Sequence, residues 1–101
     1  MFEVSYENKD ELVIYPKGEL DLYTTEDFKK DTLNKYNEDK KNILIDGKEL
    51  EYIDSTGLGA LMYILNEIEK NDHKISLVNI KKNIMKLFSI TKLDSIFEMR
   101  D

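Results

Sequence analysis

Two short apolar runs, one on each side of a strongly amphipathic segment, do most to limit what this chain can become. Asn42 to Asp46 (NILID) and Lys74 to Asn79 (KISLVN) are brief and rich in β-branched residues, the pattern of strands buried on both faces. Between them, Leu58, Leu61, Met62, Leu65 and Ile68 recur at i, i+3, i+4, i+7 and i+10, one continuous helical face. Strand, helix and strand in that order call for a crossover between parallel strands.

The rest of the chain extends this frame. Phe2, Val4 and Tyr6 alternate with polar residues, and Leu12 to Tyr15 follows the polar stretch Glu7 to Glu11, so the two runs predict a hairpin. The only proline, Pro16, closes the second run. Thr24 or Thr25, with Glu26 and Asp27 behind it, opens a first helix whose modest stripe is Phe28, Leu33 and Tyr36. Ile84, Leu87 and Phe88 mark a third, shorter helix, and Phe97 to Met99 supply a last edge strand. The fold class is therefore α/β: one small domain over residues 1–101, with a mixed, mostly parallel β-sheet packed with α-helices.

Composition removes whole classes of function. Fifteen Lys and Arg stand against 21 Asp and Glu, a net charge of -6. Phosphate backbones and anionic lipid demand a basic face, so no nucleic-acid or membrane partner is expected. Cysteine is absent, which excludes disulfides, thiolate metal sites and a cysteine nucleophile. With no long apolar run and no signal peptide at Met1-Phe2-Glu3-Val4, the chain reads as soluble and most simply cytoplasmic.

One stretch breaks local rules. Tyr52-Ile53-Asp54-Ser55-Thr56-Gly57-Leu58-Gly59-Ala60 places two glycines in the first turns of the best helix, at roughly 1 kcal/mol each relative to Ala. In the plain reading, Asp54 or Ser55 caps the helix and Gly57 lets it pack near a strand. In the functional reading, a hydroxyl at a helix N-terminus sits where free N–H groups and the dipole favour an anion. A phosphate on Ser55 would be tolerated there and add about -1.5 to -2 charges beside Asp54.

Catalytic readings fit less well. No Lys follows the glycines as a P-loop requires, and Ile53 stands where a hydrolase elbow needs Gly. The only histidine, His73, lies in a polar turn and reads as solvated surface, leaving a serine nucleophile without a base. The carboxylates form no metal-binding loop, and Asp46 and Asp54 alone do not make an enzyme. No catalytic residue, metal or cofactor is expected.

A second polar cluster, Gly18-Glu19-Leu20-Asp21-Leu22-Tyr23-Thr24-Thr25, lies where a strand leads into the first helix. In a parallel sheet, loops leaving the carboxyl ends of strands gather along one edge, where partners bind. Asp21, Tyr23, Thr24, Asp46, Asp54, Ser55, Thr56 and Gly57 are expected to meet there. Together they form an acidic, hydroxyl-bearing surface for a basic or hydrogen-bond-donating partner.

Gly18-Glu-Leu-Asp21, Leu44-Ile-Asp46 and Tyr52-Ile-Asp54-Ser55-Thr56-Gly57-Leu58-Gly59, in that order, resemble the STAS family of sulfate transporter and anti-sigma factor antagonist domains. The late segment Leu87 to Leu93 with Ile96-Phe97 is similar to that family's third helix and last strand. The likeness is greatest to stand-alone bacterial anti-anti-sigma factors. It implies that an anti-sigma factor serine kinase phosphorylates Ser55, with Thr56 as a minor secondary site. It implies also that the unphosphorylated form binds this kinase and frees a sigma factor, and that a PP2C-type phosphatase carrying its own metal ions reverses the modification. Which regulon is released, stress, sporulation or another, is left open by the sequence; the stand-alone form leans toward stress or sporulation, and Thr56 toward stress. Thr91-Lys92-Leu93 replaces the family's frequent Thr-Gly-Leu, and many members carry a further C-terminal helix beyond the point matching Asp101, which bears on any contact made through such a helix. The alternative function is a sensory or scaffolding domain that binds a small ligand or its own copies, with Ser55 only a cap.

Overall fold

The computed structural model describes residues 1–100. Asp101, the end of the expected domain, lies outside the described residues. Strand β1 (Phe2–Asn8) pairs antiparallel with β2 (Leu12–Leu20), the expected hairpin. Then follow α1 (Thr25–Glu38), β3 (Ile43–Asp46), β4 (Leu50–Ile53), α2 (Ser55–Glu69), β5 (Ile75–Val78), α3 (Lys82–Ile90), a 3-10 turn (Leu93–Ser95) and β6 (Glu98–Met99). The strands run β1-β2-β3-β5-β6, with every pair after the hairpin parallel.

Two features of β2 depart from expectation. It runs on past Pro16 to Leu20, and it has two parallel partners in succession: β3 beside Leu12 to Ile14, then β4 beside Gly18 to Leu20. The N–H groups of Leu12 and Gly18 both point toward that side, to Asn42 and Glu49. By the same alternation the Pro16 nitrogen faces the gap between β3 and β4, where no strand bond is lost. The short strand β4 was not expected. Its sequence, Leu50-Glu51-Tyr52-Ile53, neither alternates nor forms an apolar run.

The crossovers step in one direction across the sheet, and right-handed connections then place all three helices on one face. Leu12, Ile14, Ile43, Ile45, Ile75 and Leu77 point into that layer, against Phe28, Tyr36, Leu61, Ile64, Leu65, Ile68, Ile84 and Phe88. Leu44, Asp46 and Val78 lie half-buried on the other face. The expectation that β3 is buried on both faces is thereby corrected: among the described residues no helix covers the second side.

Part of that second side is closed by long charged side chains. Arg100 forms a fork with Glu11 at 2.9 and 2.7 Å, and Glu98 accepts from Ser76, Lys74 and Arg100. Lys74, then the Ser76 hydroxyl and Arg100, hold the Glu98 carboxyl down at about 2. A depressed carboxyl contributes stability above its unfolded value of 4.5, and that contribution is lost as pH falls toward 2. Glu98→Gln is expected to flatten the thermal midpoint's dependence on pH across that window. An unchanged slope would remove Glu98 from the account.

Candidate functional site

The start of α2 divides its labour between two adjacent residues. Asp54 is the N-cap, extended at φ -109 and ψ -172, and its Oδ1 accepts the Gly57 N–H at 2.9 Å. The Thr56 hydroxyl donates to the same oxygen at 2.6 Å. Chiefly this hydroxyl, with the Gly57 amide next, holds the Asp54 carboxyl below the usual carboxylate range; the Leu22 amide adds to it from the neighbouring loop. Ser55 is the first residue of the helix and is exposed. Among the described residues no hydrogen bond engages its hydroxyl. The alternative in which Ser55 is the cap is thus corrected: Asp54 fills that role, because its extended backbone aims the carboxylate back at the turn. Asp54→Ala is expected to cost about 1 kcal/mol in a denaturant melt, and Asp54→Asn much less.

Gly57 explains how close this helix end comes to the sheet. A Cβ at Gly57 would stand 2.5 Å from the Leu20 carbonyl oxygen and 2.6 Å from Ile53 Cγ1. Gly59 is the opposite case, exposed, with nothing within 4 Å of an added Cβ. One glycine brings the helix onto β2. The other leaves its outer surface flat.

The loop after β2 is a tight knot beside this helix end. The Tyr23 N–H donates to Asp21 Oδ1 at 2.9 Å, and the Asp21 N–H donates to Thr24 Oγ1 at 3.0 Å. The Thr24 hydroxyl returns to the Glu19 carbonyl at 3.0 Å. Thr24 is the N-cap of α1 by position, yet it makes no side-chain cap bond, because its hydroxyl is committed to the loop. The knot throws Leu22 (63% exposed) and Tyr23 (89%) outward.

Register decides which expected residues share a surface. Leu20 pairs with Ile53, and the Asp54 N–H donates to the Leu20 carbonyl at 3.3 Å. Asp21, Tyr23 and Thr24 therefore adjoin Asp54, Ser55, Thr56 and Gly57. Asp46 does not join them. Ile45 is level with Ile14, so Asp46 lies about 20 Å short of Asp21 at roughly 3.3 Å per strand residue. Its Oδ1 instead accepts from the Lys48 N–H at 3.1 Å and the Asn79 amide at 3.2 Å. It closes a turn there.

Sequence reasoning missed Leu22 and Tyr63. Ser55, Gly59 and Tyr63 fall at i, i+4 and i+8, an outward stripe on which Tyr63 is 48% exposed. That spacing, opposite the apolar face of the same helix, was the available signal. His73 differs from its expected solvated state: it is half-buried, and its Nδ1 is hydrogen-bonded to the buried Tyr36 hydroxyl. It follows the far end of α2, a helix of about 22 Å at 1.5 Å per residue, and so cannot serve Ser55 as a base. Among the described residues no three His, Asp or Glu cluster to hold a metal ion, and no helix is long and apolar enough to cross a membrane.

Comparison with known proteins gives this arrangement its context. Residues 4–101 match the STAS domain. A Listeria monocytogenes protein named anti-sigma-B factor antagonist is 30% identical over 98% of this chain and 87% of its own length. A Thermotoga maritima crystal structure, assigned as an anti-sigma factor antagonist, superposes with a TM-score of 0.89 at 27% identity, covering 97% of this chain and 86% of that one. The Bacillus cell fate determinant SpoIIAA, in its phosphorylated form, shares the fold with a TM-score of 0.73 at 20% identity, covering 100% of this chain and 92% of its own. With its D-S-T-G-L-G helix start, its mixed sheet and a match over nearly its whole length, this chain belongs to the STAS domain family.

Proposed function

We propose that this chain is an anti-sigma factor antagonist whose loop edge binds an anti-sigma factor, and that phosphorylation of Ser55 by that partner ends the binding. The observation that carries the reading is the division at the helix start: Asp54 caps α2, and the exposed Ser55 hydroxyl makes no hydrogen bond among the described residues. A residue at the first position of a helix also accepts a phosphate without melting it, since the local dipole and free N–H groups favour an anion. The relatives' names support the coarse role, and SpoIIAA is described in both unphosphorylated and phosphorylated forms.

The docking surface comprises Asp21, Tyr23 and Thr24 on one loop, Asp54, Ser55, Thr56 and Gly57 on the other, and the Leu22 and Tyr63 side chains beside them. Flat Gly59 lets a partner approach the helix backbone. Asp46 is left out of this surface on grounds of register. The partner is a serine kinase that brings its own ATP. A PP2C-type phosphatase restores the free hydroxyl, and the exchange takes place in the cytoplasm. The sigma factor released is of the kind the relatives are named for, a sigma-B. Thr56 has its hydroxyl committed to Asp54 at 2.6 Å, which makes it the poorer acceptor of the two.

A pull-down with this chain from lysate, followed by identification of the bound protein, tests the reading. Recovery of a protein with a serine-kinase ATP site, lost with Ser55→Asp, is the expected result. A partner of another class, captured equally by Ser55→Asp, would contradict it.

A further inference from the structure

The charge on this chain is segregated. Residues 74–93 hold Lys74, Lys81, Lys82, Lys86 and Lys92 with no Asp or Glu, inside a protein of net charge -6. Lys74 and Lys81 have carboxylate partners, Glu98 at 2.9 Å and Glu51 at 3.5 Å. Among the described residues, Lys82, Lys86 and Lys92 have none within 4.0 Å, although carboxylates outnumber cations across the chain.

Exposed apolar groups accompany these lysines along the chain. Lys82, Lys86 and Ile90 fall at i, i+4 and i+8 on the outward side of α3, whose inward side buries Ile84 and Phe88. Ile90 is 67% exposed, and Ile96, after the 3-10 turn, is 50% exposed. Like charges one turn apart weaken a helix, so Lys82 and Lys86 cost stability in the free chain. The fold itself requires neither the lysine pair nor the exposed isoleucines.

We propose that the outward face of α3 docks an acidic protein segment carrying apolar side chains, with Lys82, Lys86 and Lys92 meeting its carboxylates and Ile90 and Ile96 its apolar groups. This surface belongs to α3 and its following turn, not to the two loops around Ser55, and it does not depend on that serine. An anionic membrane is the poorer occupant: the apolar side of α3 is spent in the core, leaving only Ile90 and Ile96 to insert, and the remaining charge of the protein repels such a surface. A second copy is also disfavoured. It would set this basic end against an acidic region elsewhere on its neighbour, a head-to-tail contact that builds rings or open chains and not a simple symmetric pair.

The test uses the full chain labelled with 15N and a short synthetic peptide of glutamates with leucines at helical spacing. Saturable shifts confined to the amides of residues 82–96 are expected. Lys82→Glu with Lys86→Glu should weaken binding by about tenfold or more, Ile90→Ser should weaken it several-fold, and the lysine analogue of the peptide should not bind. Unchanged circular dichroism will show that the exposed substitutions leave the fold intact. The proposal is overturned by no shifts, by shifts elsewhere, or by equal binding of the charge-reversed variant. Binding to phosphatidylglycerol vesicles with the peptide inert, or shifts that depend on protein concentration alone, would overturn it in favour of lipid or a second copy.

Discussion

Ser55→Asp is expected to weaken binding to the anti-sigma partner by about 30-fold or more while leaving the domain folded. A charge left unpaired in an interface costs roughly 2–5 kcal/mol, and each 1.4 kcal/mol is a factor of ten, so the range runs from about 30- to several-thousand-fold. The substituted carboxylate would lie at the first position of α2, next to Asp54, already ionised and held by the Thr56 hydroxyl and the Gly57 amide. Two anions then face a partner adapted to one. The fold loses little, because the helix dipole offsets part of the repulsion. Ser55→Ala separates the two roles of the residue. It should bind normally, accept no phosphate and melt within about 0.5 kcal/mol of the parent, since Asp54 and not Ser55 caps the helix. Calorimetric titration against the purified partner reads the first effect, and a denaturant melt reads the second. A loss of about 1 kcal/mol in Ser55→Ala would return the residue to a capping role.

The second large effect concerns two glycines that differ by two positions and should respond in opposite directions. Gly57→Ala drives a methyl to 2.5 Å from the Leu20 carbonyl and 2.6 Å from Ile53. Backbone on one side cannot yield, so the start of α2 must lift from β2, at about 1–3 kcal/mol for the overpacking. For a chain of this size each kcal/mol lowers the melting midpoint by about 4–8 °C. The displaced helix start also carries Ser55 away from the Asp21 to Thr24 loop, so partner binding should fall with stability. Gly59→Ala meets nothing within 4 Å and should gain up to about 1 kcal/mol from helix propensity. Its added methyl, however, stands on the surface assigned to the partner. Higher stability with weaker binding is the expected signature at Gly59, and lower stability with weaker binding at Gly57. Equal thermal midpoints for the two variants would contradict the close approach of α2 to β2.

Much of this arrangement was legible in the residues, and the failures have physical causes. The helical stripe from Leu58 to Ile68 and the runs NILID and KISLVN specify their own periods, so α2, β3 and β5 could be read locally. The half-buried second face could not. Whether a sheet is covered on one side or two depends on the direction of successive crossovers, and an isolated Leu44 carries no trace of it. β4 was hidden because Leu50 to Ile53 becomes a strand only where β2 runs on past Pro16 to meet it. The same register removes Asp46 from the serine's surroundings, a distance no spacing in the sequence reports. Asp54 and Ser55 are equally good caps by residue type, and backbone geometry alone separates them. His73 looked solvated because its partner, Tyr36, is remote in sequence.

The central claim is that the free hydroxyl of Ser55 is a phosphate acceptor whose state sets partner binding. The most direct measurement incubates the chain with its purified anti-sigma partner and ATP, maps the modification by mass spectrometry and follows the complex over the same time course. The account predicts one phosphate, on Ser55, with dissociation in step with its appearance and neither event in Ser55→Ala. Phosphate on another residue, or a complex that persists after Ser55 is fully modified, would contradict it.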